Sequence, residues 1–301
     1  NVGQMRTLIR ALPILAIINL SVLLTTSSAQ TPLSEIKKSP KIESLNFGPG
    51  FTEFNNQFPL ALNHNSFRPM SPEVVAKGKW AFNSVLGISN TFIKKKRGYT
   101  FDSEIYDLNL KGIYGVTESW EVSALIPVLW RNGGLLDSPI DNFHKYLGFD
   151  RGKRGDSKDD QFELSGINEN GSTFSFTDKG NSIGDIVIGS KYLFSPGHNS
   201  PAWSGIAEIK LPTASNSNYG QDSFDLTLGI VGSRWIDPIV LYWGGAYIYY
   251  NDVNLEGVKY WKHHFEGFVG ADHKISDDFS INMALYGNSG VIDDLTGFPN
   301  Y

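Results

Sequence analysis

The chain has 301 residues, with 26 Lys+Arg against 31 Asp+Glu, 31 Gly, 13% aromatics and no cysteine, so it has no material for a disulfide-stapled scaffold or a thiolate-held metal cluster. A formal net charge of -5 argues against a nucleic-acid partner, because such binding takes most of its affinity from Lys and Arg against phosphates. The mean hydropathy of -0.21 with 41% hydrophobic residues suits alternating strands, in which every second residue can be polar without breaking a buried face.

Met5, Arg6 and Arg10 precede an apolar run from Ala11 through Leu24, which ends on Thr25, Thr26, Ser27, Ser28 and Ala29. A positive start, an apolar stretch of secretory length and a small-residue exit read as a Sec-type signal peptide over residues 1–29, cleaved after Ala29. As a helix the run is short of the roughly 20 residues needed to cross hydrocarbon. Residues 30–70 read as a flexible, irregular lead-in: first a Ser/Pro/Lys-rich stretch, then Leu45 to Met70, rich in Asn, Phe, Pro and Gly with no helical period.

From Ser71 the pattern becomes regular. Lys79 to Ile93 carries Trp80, Phe82, Leu86 and Ile88 on one face; Tyr106, Leu108, Leu110, Tyr114 and Val116 then alternate with Asp107, Asn109 and Lys111. Trp120, Val122, Ala124, Ile126, Val128 and Trp130 alternate with Glu121 and Ser123. Gly184 to Phe194, Trp203 to Pro212, Ser223 to Ile236, Ile239 to Tyr250, Lys262 to Ile275 and Phe279 to Asn288 continue the series, giving nine predicted strands of period 2.

The polar face carries Asp107, Lys111, Glu121, Asp185, Lys191, Glu208, Lys210, Glu266, Asp272 and Lys274. A soluble sandwich puts such a face in water, whereas a membrane barrel turns it toward the lumen. Alternation alone does not separate the two. Connection lengths do. Gly115 to Ser119, Ser195 to Pro201, Asp237 with Pro238, and Ser276 to Asp278 are short; between them lie the longer links Lys94 to Thr100, Arg131 to Ile183, Thr213 to Asp222 and Asn251 to Trp261. This regular alternation is the asymmetry of an up-and-down outer-membrane barrel, and Trp80, Trp120, Trp130, Trp203, Trp235, Tyr249 and Trp261 fall at strand ends, where headgroups favour aromatic rings. Such barrels close on an even strand number, so nine strands predict at least one more beyond Tyr301 and a total of about 10 to 12. About 8 strands leave an interior just filled by side chains and porins need about 16, so the expected lumen offers a narrow or gated path and not a wide general pore.

The stretches Asn56-Gln57-Phe58-Pro59-Leu60, Tyr114-Gly115-Val116-Thr117-Glu118-Ser119-Trp120-Glu121, Gly133-Gly134-Leu135-Leu136-Asp137-Ser138 with Phe143-His144, Gly184-Asp185 with Lys191-Tyr192, and Lys210-Leu211-Pro212-Thr213 resemble the domain of unknown function 3187 family. The similarity covers most of residues 45–290 and rests on the order of these motifs. It implies a Gram-negative envelope protein that looks like an outer-membrane barrel. It brings no substrate or catalytic residue, and the family's last strand is not found before Tyr301.

Several constellations bear on function. In the long loop, Asp137 or Ser138 is placed to cap a helix that begins at Pro139, shows Ile140, Phe143 and Leu147 on one face and stops at Gly148. Such a helix would narrow the barrel mouth or rest on the lipopolysaccharide surface. Asp156, Asp159, Asp160 and Glu163 would suit a divalent cation or stay a solvated acidic loop. The run Lys94, Lys95, Lys96, Arg97 would meet lipopolysaccharide phosphates or stay wet. His263 and His264 face opposite sides of a strand, which disfavours a metal site, and no G-x-S-x-G signature supports a hydrolase. Gly112, Gly189, Gly229, Gly244, Gly245 and Gly270 read as close-packing or curvature positions. Mixed signs on neighbouring positions, such as Glu208 and Lys210 or Asp272 and Lys274, would permit cross-strand ion pairs that rigidify the lumen, or would tune a pore.

The expectation is therefore a barrel over residues 71–301, without cofactor, metal or enzymatic activity, in contact with outer-membrane lipid and lipopolysaccharide and assembled with periplasmic chaperones and the barrel-assembly machinery. It would serve as a narrow channel or transporter-like barrel for a small solute. The alternatives are a closed structural barrel and a lipid-modifying hydrolase.

Overall fold

The computed structural model describes residues 15–17, 53–95, 98–149, 157–168, 171–197, 200–252, 254–255, 258–275 and 280–294. In chain order the elements are β1 (Leu15–Ile17), β2 (Trp80–Lys94), β3 (Tyr99–Thr117), β4 (Trp120–Asn132), α1 (Asp137–Leu147), β5 (Glu163–Ile167), β6 (Thr173–Phe176), β7 (Gly180–Ile183), β8 (Val187–Pro196), β9 (Ala202–Lys210), β10 (Asp225–Ile236), β11 (Ile239–Tyr250), β12 (Asn254–Leu255), β13 (Val258–Tyr260), β14 (His263–Lys274), β15 (Ser280–Asn288) and β16 (Ile292–Asp294).

Each of the nine predicted segments is a strand, and they pair antiparallel in chain order: β2, β3, β4, β8, β9, β10, β11, β14, β15. A run of side chains with period 2 leaves the chain no other regular way to keep one face apolar, and short turns force neighbours to run antiparallel. The fourth strand is split, because β7 pairs with the far half of β4 (Val128 with Ile183) and β8 with its near half (Trp120 with Tyr192). The short segment β1 lies on the edge of β15 that β14 leaves free. Among the described residues β2 and β15 do not pair with each other, so the sheet is not closed by hydrogen bonds.

It is nonetheless strongly curled. Phe54 packs edge-on against Tyr286 of β15, with ring centroids 6.1 Å apart, while the next residue, Asn55, accepts a hydrogen bond from Asn109 of β3 at 3.2 Å. Two consecutive residues reach strands near opposite ends of the sheet, so the sheet wraps around them.

What it wraps is the lead-in. Residues 53–70, expected as an irregular or extended lead-in, run irregularly along the inside of the curl, and Leu60, Ala61, Phe67 and Met70 belong to the central apolar cluster. Phe67 fits because Gly229 and Gly244 lack a Cβ: one added there would lie 3.2 and 3.0 Å from its ring.

Burial is inverted relative to a soluble sandwich. The polar face turns inward, with Asp107, Asp225 and Thr227 at 0% exposure, while Phe82 at 78%, Leu228 at 60% and Phe265 at 62% stand on the outside. The long loop between β4 and β7 holds structure that the sequence reading did not anticipate. Its hairpin β5–β6 extends β3, with Phe101 opposite Leu164, and sends Phe162, Leu164, Phe174 and Phe176 over Leu60 at the end of the interior. Helix α1 in the same loop stops at Gly148 as expected, in the left-handed conformation at φ 71°. It starts at Asp137 and not at Pro139, and no side chain caps it; the Asp137 carboxylate instead accepts from Asn90 at 2.9 Å and from the Asp160 amide at 3.0 Å.

Candidate functional site

The polar interior, and the segment that fills it, form the candidate site. The segment enters beside β3, where Lys111 meets Glu53 at 2.6 Å and Gln57 donates to Asp107 at 3.3 Å. It then turns through Phe58 to His64, stitched by the Ala61 amide on the Phe58 carbonyl at 2.8 Å and the His64 amide on the Ala61 carbonyl at 3.0 Å. At this turn Tyr260 donates to the Leu60 carbonyl at 2.9 Å and Asn63 to the Asn218 carbonyl at 3.1 Å, both at the long-loop end.

The return limb crosses the wall of β9, β10 and β14. The Asn65 amide donates to Asp225 at 2.9 Å and its side chain to Thr227 at 2.9 Å. Arg68 lies 3.7 Å from Glu208, and the Phe67 amide donates to Glu266. The limb leaves at the short-turn end, where Lys191 donates to the Ser71 carbonyl at 3.1 Å and the Val75 amide to Glu121 at 2.7 Å. An added Cβ on Gly115 would fall 2.2 Å from the Ala76 carbonyl oxygen, so only glycine allows the chain to pass there.

Nine of the ten predicted lumen positions face this segment's side of the sheet: Asp107, Lys111, Glu121, Asp185, Glu208, Lys210, Glu266 and Asp272 are buried and Lys191 is half-buried. The side chain of Lys274 lies outside the described residues. The expected ion pairs run between strands. Glu208 turns to Arg68, and Lys210 bridges Asp185 at 2.8 Å and Asp225 at 3.5 Å. Asp225 sits opposite Lys210 on the neighbouring strand β10, whereas Glu208 reaches Arg68 of the inner segment. Lys191 and Glu121 do pair, at 3.1 Å, between β8 and β4.

Sequence reasoning missed Glu53, His64, Arg68, Asp225 and Arg131. His64 is fully buried, stacked on Tyr250 with centroids 3.8 Å apart and 3.5 Å from Asp225. Burial lowers its pKa, more than the neighbouring Asp225 carboxylate raises it. For Glu53 burial acts to raise the pKa, but the Lys111 charge and hydrogen bond, with Lys191 and Arg68, hold it below the usual carboxylate range. Glu73 is exposed at its surface, and partial desolvation pushes its pKa up. Arg131 lies over the Tyr219 ring at 4.6 Å, beside a small cavity lined by Pro59, Leu60, Asn63, Leu164 and Phe176. The signal for His64 and Arg68 was the density of Asn, His and Arg in residues 55–68, which read equally well as a loop.

The other constellations do not assemble. Asp160 pairs with Lys179 at 2.9 Å and Glu163 accepts from Ser165 at 2.6 Å, Asp156 lies outside the described residues, and among the described residues no group of three or more His, Asp or Glu is placed to hold a metal. Lys96 and Arg97 also lie outside them. His263 is exposed against Tyr247, while His264 is buried beside Glu266 at 3.7 Å. Helix α1 does not enter the interior: Phe143, Tyr146 and Leu147 are exposed. The interior is filled instead by the inner segment, with the β5–β6 hairpin over it.

Fold and site together define a curled antiparallel sheet with its apolar face outward and its charged face closed over an internal segment of the same chain. The chain belongs to the family described as protein of unknown function (DUF3187), whose model matches residues 33–301. No curated protein matches. Among solved structures, the crystal structure of the COG4313 outer membrane channel from Pseudomonas putida F1 is similar at a TM-score of 0.44 and 11% identity, over 75% of this chain and 77% of that one. That likeness is too distant to define the fold, which rests on the strand register.

Proposed function

We propose that the protein is an outer-membrane β-barrel whose narrow path for a small polar solute is shut by residues 53–76 and opens when that segment moves. The observation that carries this reading is the inverted burial. Exposing Phe82, Leu228 and Phe265 to water while sealing Asp107 and Asp225 inside would forfeit roughly 25 cal/mol for each Å² of apolar surface left wet; against hydrocarbon the same arrangement is favourable.

The height of the apolar band supports it. Trp120 and Trp130 lie on the outer face of β4, ten residues apart, or about 33 Å along a strand. At a tilt of about 40° that is about 25 Å of height, the depth of a barrel's apolar band. Trp80 and Trp235 also stand exposed at the short-turn end, as a headgroup girdle requires. Under this reading export removes residues 1–29, and β1 with them. Lipid and lipopolysaccharide are the surroundings, and chaperones and the assembly machinery act only during biogenesis. His64 engages Asp225 and Gln221, which supports a holding role for it over a catalytic one.

The inner segment is held by ion pairs and hydrogen bonds, which water can replace when it moves, as well as by Leu60, Phe67 and Met70 in the apolar cluster. The test is single-channel recording in planar bilayers. The refolded protein should be nearly silent, and a variant lacking residues 53–72 should show discrete steps. If that variant keeps heat-modifiable gel migration yet passes no current, the barrel is a closed structural one. The aromatic lid of Phe162, Phe174 and Phe176 is the feature that would favour that second reading.

A further inference from the structure

Helix α1 sits where the outer face changes from apolar to polar. Register places Ile88, Tyr106 and Trp130 side by side on the outside, and one step toward the long loops it places Asn90, Glu104 and Asn132. Glu104 is fully buried although it lies on the outer face. It accepts from the Leu135 amide at 3.0 Å, the Leu136 amide at 2.7 Å, the Asn90 side chain at 3.3 Å and the Tyr106 hydroxyl at 2.5 Å. The amides just ahead of α1 are thus pinned to the outer face, at the level of the polarity change.

From that anchor the helix is amphipathic and open on one side. Asp137, Ile140, Asp141 and His144 form the covered side, and Phe143 at 57%, Tyr146 at 86% and Leu147 at 44% are bare. Leu135 at 72% and Phe149 at 57% extend the bare apolar surface beyond both ends. Ser138 and Lys145 fall on the neighbouring polar arc, where Lys145 pairs with Asp141 at 2.7 Å. Large rings exposed beside an aromatic row, on a helix too short to cross a bilayer, fit the headgroup–acyl boundary.

We propose that α1 is an interfacial anchor that lays Phe143, Tyr146 and Leu147 into the outer-leaflet lipid surface and holds the long loop at its level. The occupant of this helix face is lipid, because Glu104 pins the start of the helix one step beyond the outer row Ile88, Tyr106 and Trp130, at the edge of the apolar surface of β2, β3 and β4. The inference rests on the membrane reading above.

The chain has no cysteine, so single nitroxide labels can be placed cleanly. Phe143→Cys, Ser138→Cys and Leu228→Cys would be labelled on the full chain in vesicles of phosphatidylethanolamine and phosphatidylglycerol, with heat-modifiable migration as the folding check. Accessibility to oxygen and to Ni-EDDA would then be compared. The expected oxygen-to-nickel ratio is several-fold higher at 143 than at 138, and highest at 228. A ratio at 143 equal to that at 138, with 228 still oxygen-rich, overturns the anchor and leaves the barrel standing. A nickel-dominated label at 228 overturns the barrel and the anchor with it. Dipolar broadening at 143 that disappears on dilution with unlabelled protein shows that a second copy covers the face, and also overturns the anchor.

Discussion

Glu53 of the inner segment and Lys111 of β3 form an ion pair at 2.6 Å, with only 15% and 9% of their side chains exposed. Removing one partner leaves a charge in a place from which water is excluded, which typically costs about 3–5 kcal/mol. Lys111→Met should therefore loosen the segment and lower stability by an amount of that order in urea titrations of vesicle-embedded protein. Adding Glu53→Gln should recover most of the loss; no recovery would mean that the pair does not hold the segment.

Gly115 is the tightest point of the exit. A methyl group 2.2 Å from the Ala76 carbonyl oxygen cannot be relieved by a side-chain rotation, because the obstacle is backbone. Gly115→Ala should push residues 72–76 off the wall and raise their amide exchange by mass spectrometry, leaving the strand amides of β10 and β11 protected. Unchanged exchange in 72–76 would show that the segment does not pass there.

Acid should release the same segment. The folded pKa of His64 lies below its unfolded value of about 6.5, so unfolded or detached states bind the proton more readily. A group with a depressed folded pKa contributes stability above its unfolded pKa and loses it as pH falls through that value toward the folded one. Glu53 has the same sign at lower pH; the raised Glu73 works the opposite way, its contribution lost as pH rises. Exchange in residues 60–68 should thus rise as pH falls below about 6.5. His64→Phe, which keeps the stack on Tyr250, should flatten that response; an equally steep response in the variant would remove His64 from the account.

The outer face offers a test of the membrane reading that is independent of conductance. Ile230 is exposed in the middle of β10. Ile230→Arg should cost about 2–4 kcal/mol in vesicles if it lies near the bilayer midplane, and Trp235→Arg at the girdle about 0–1 kcal/mol. Equal, small costs at both sites, as in a water-facing sheet, would count against the barrel.

The nine strands, their order and the face on which Asp107, Glu208 or Glu266 lies were legible in the sequence, because period-2 alternation and turn length are local properties that neighbouring residues carry themselves. The helix and its Gly148 stop were legible for the same reason. The choice between a watery and an enclosed charged face needed more than alternation, since both give one pattern; the regular order of short and long links favoured the enclosed one.

Residues 53–76 show the limit most clearly. They have no period, and their partners are distant: Tyr260 lies 200 positions from Leu60 and Thr227 lies 162 from Asn65. Nothing in Asn63-His64-Asn65 announces that it will be buried, because its hydrogen bonds are satisfied only after the sheet has curled. The sequence by itself determined an antiparallel ladder with one charged face. Only the tertiary structure decided that this face closes over its own lead-in, because curvature and long-range burial are properties of the assembled sheet and of no single strand.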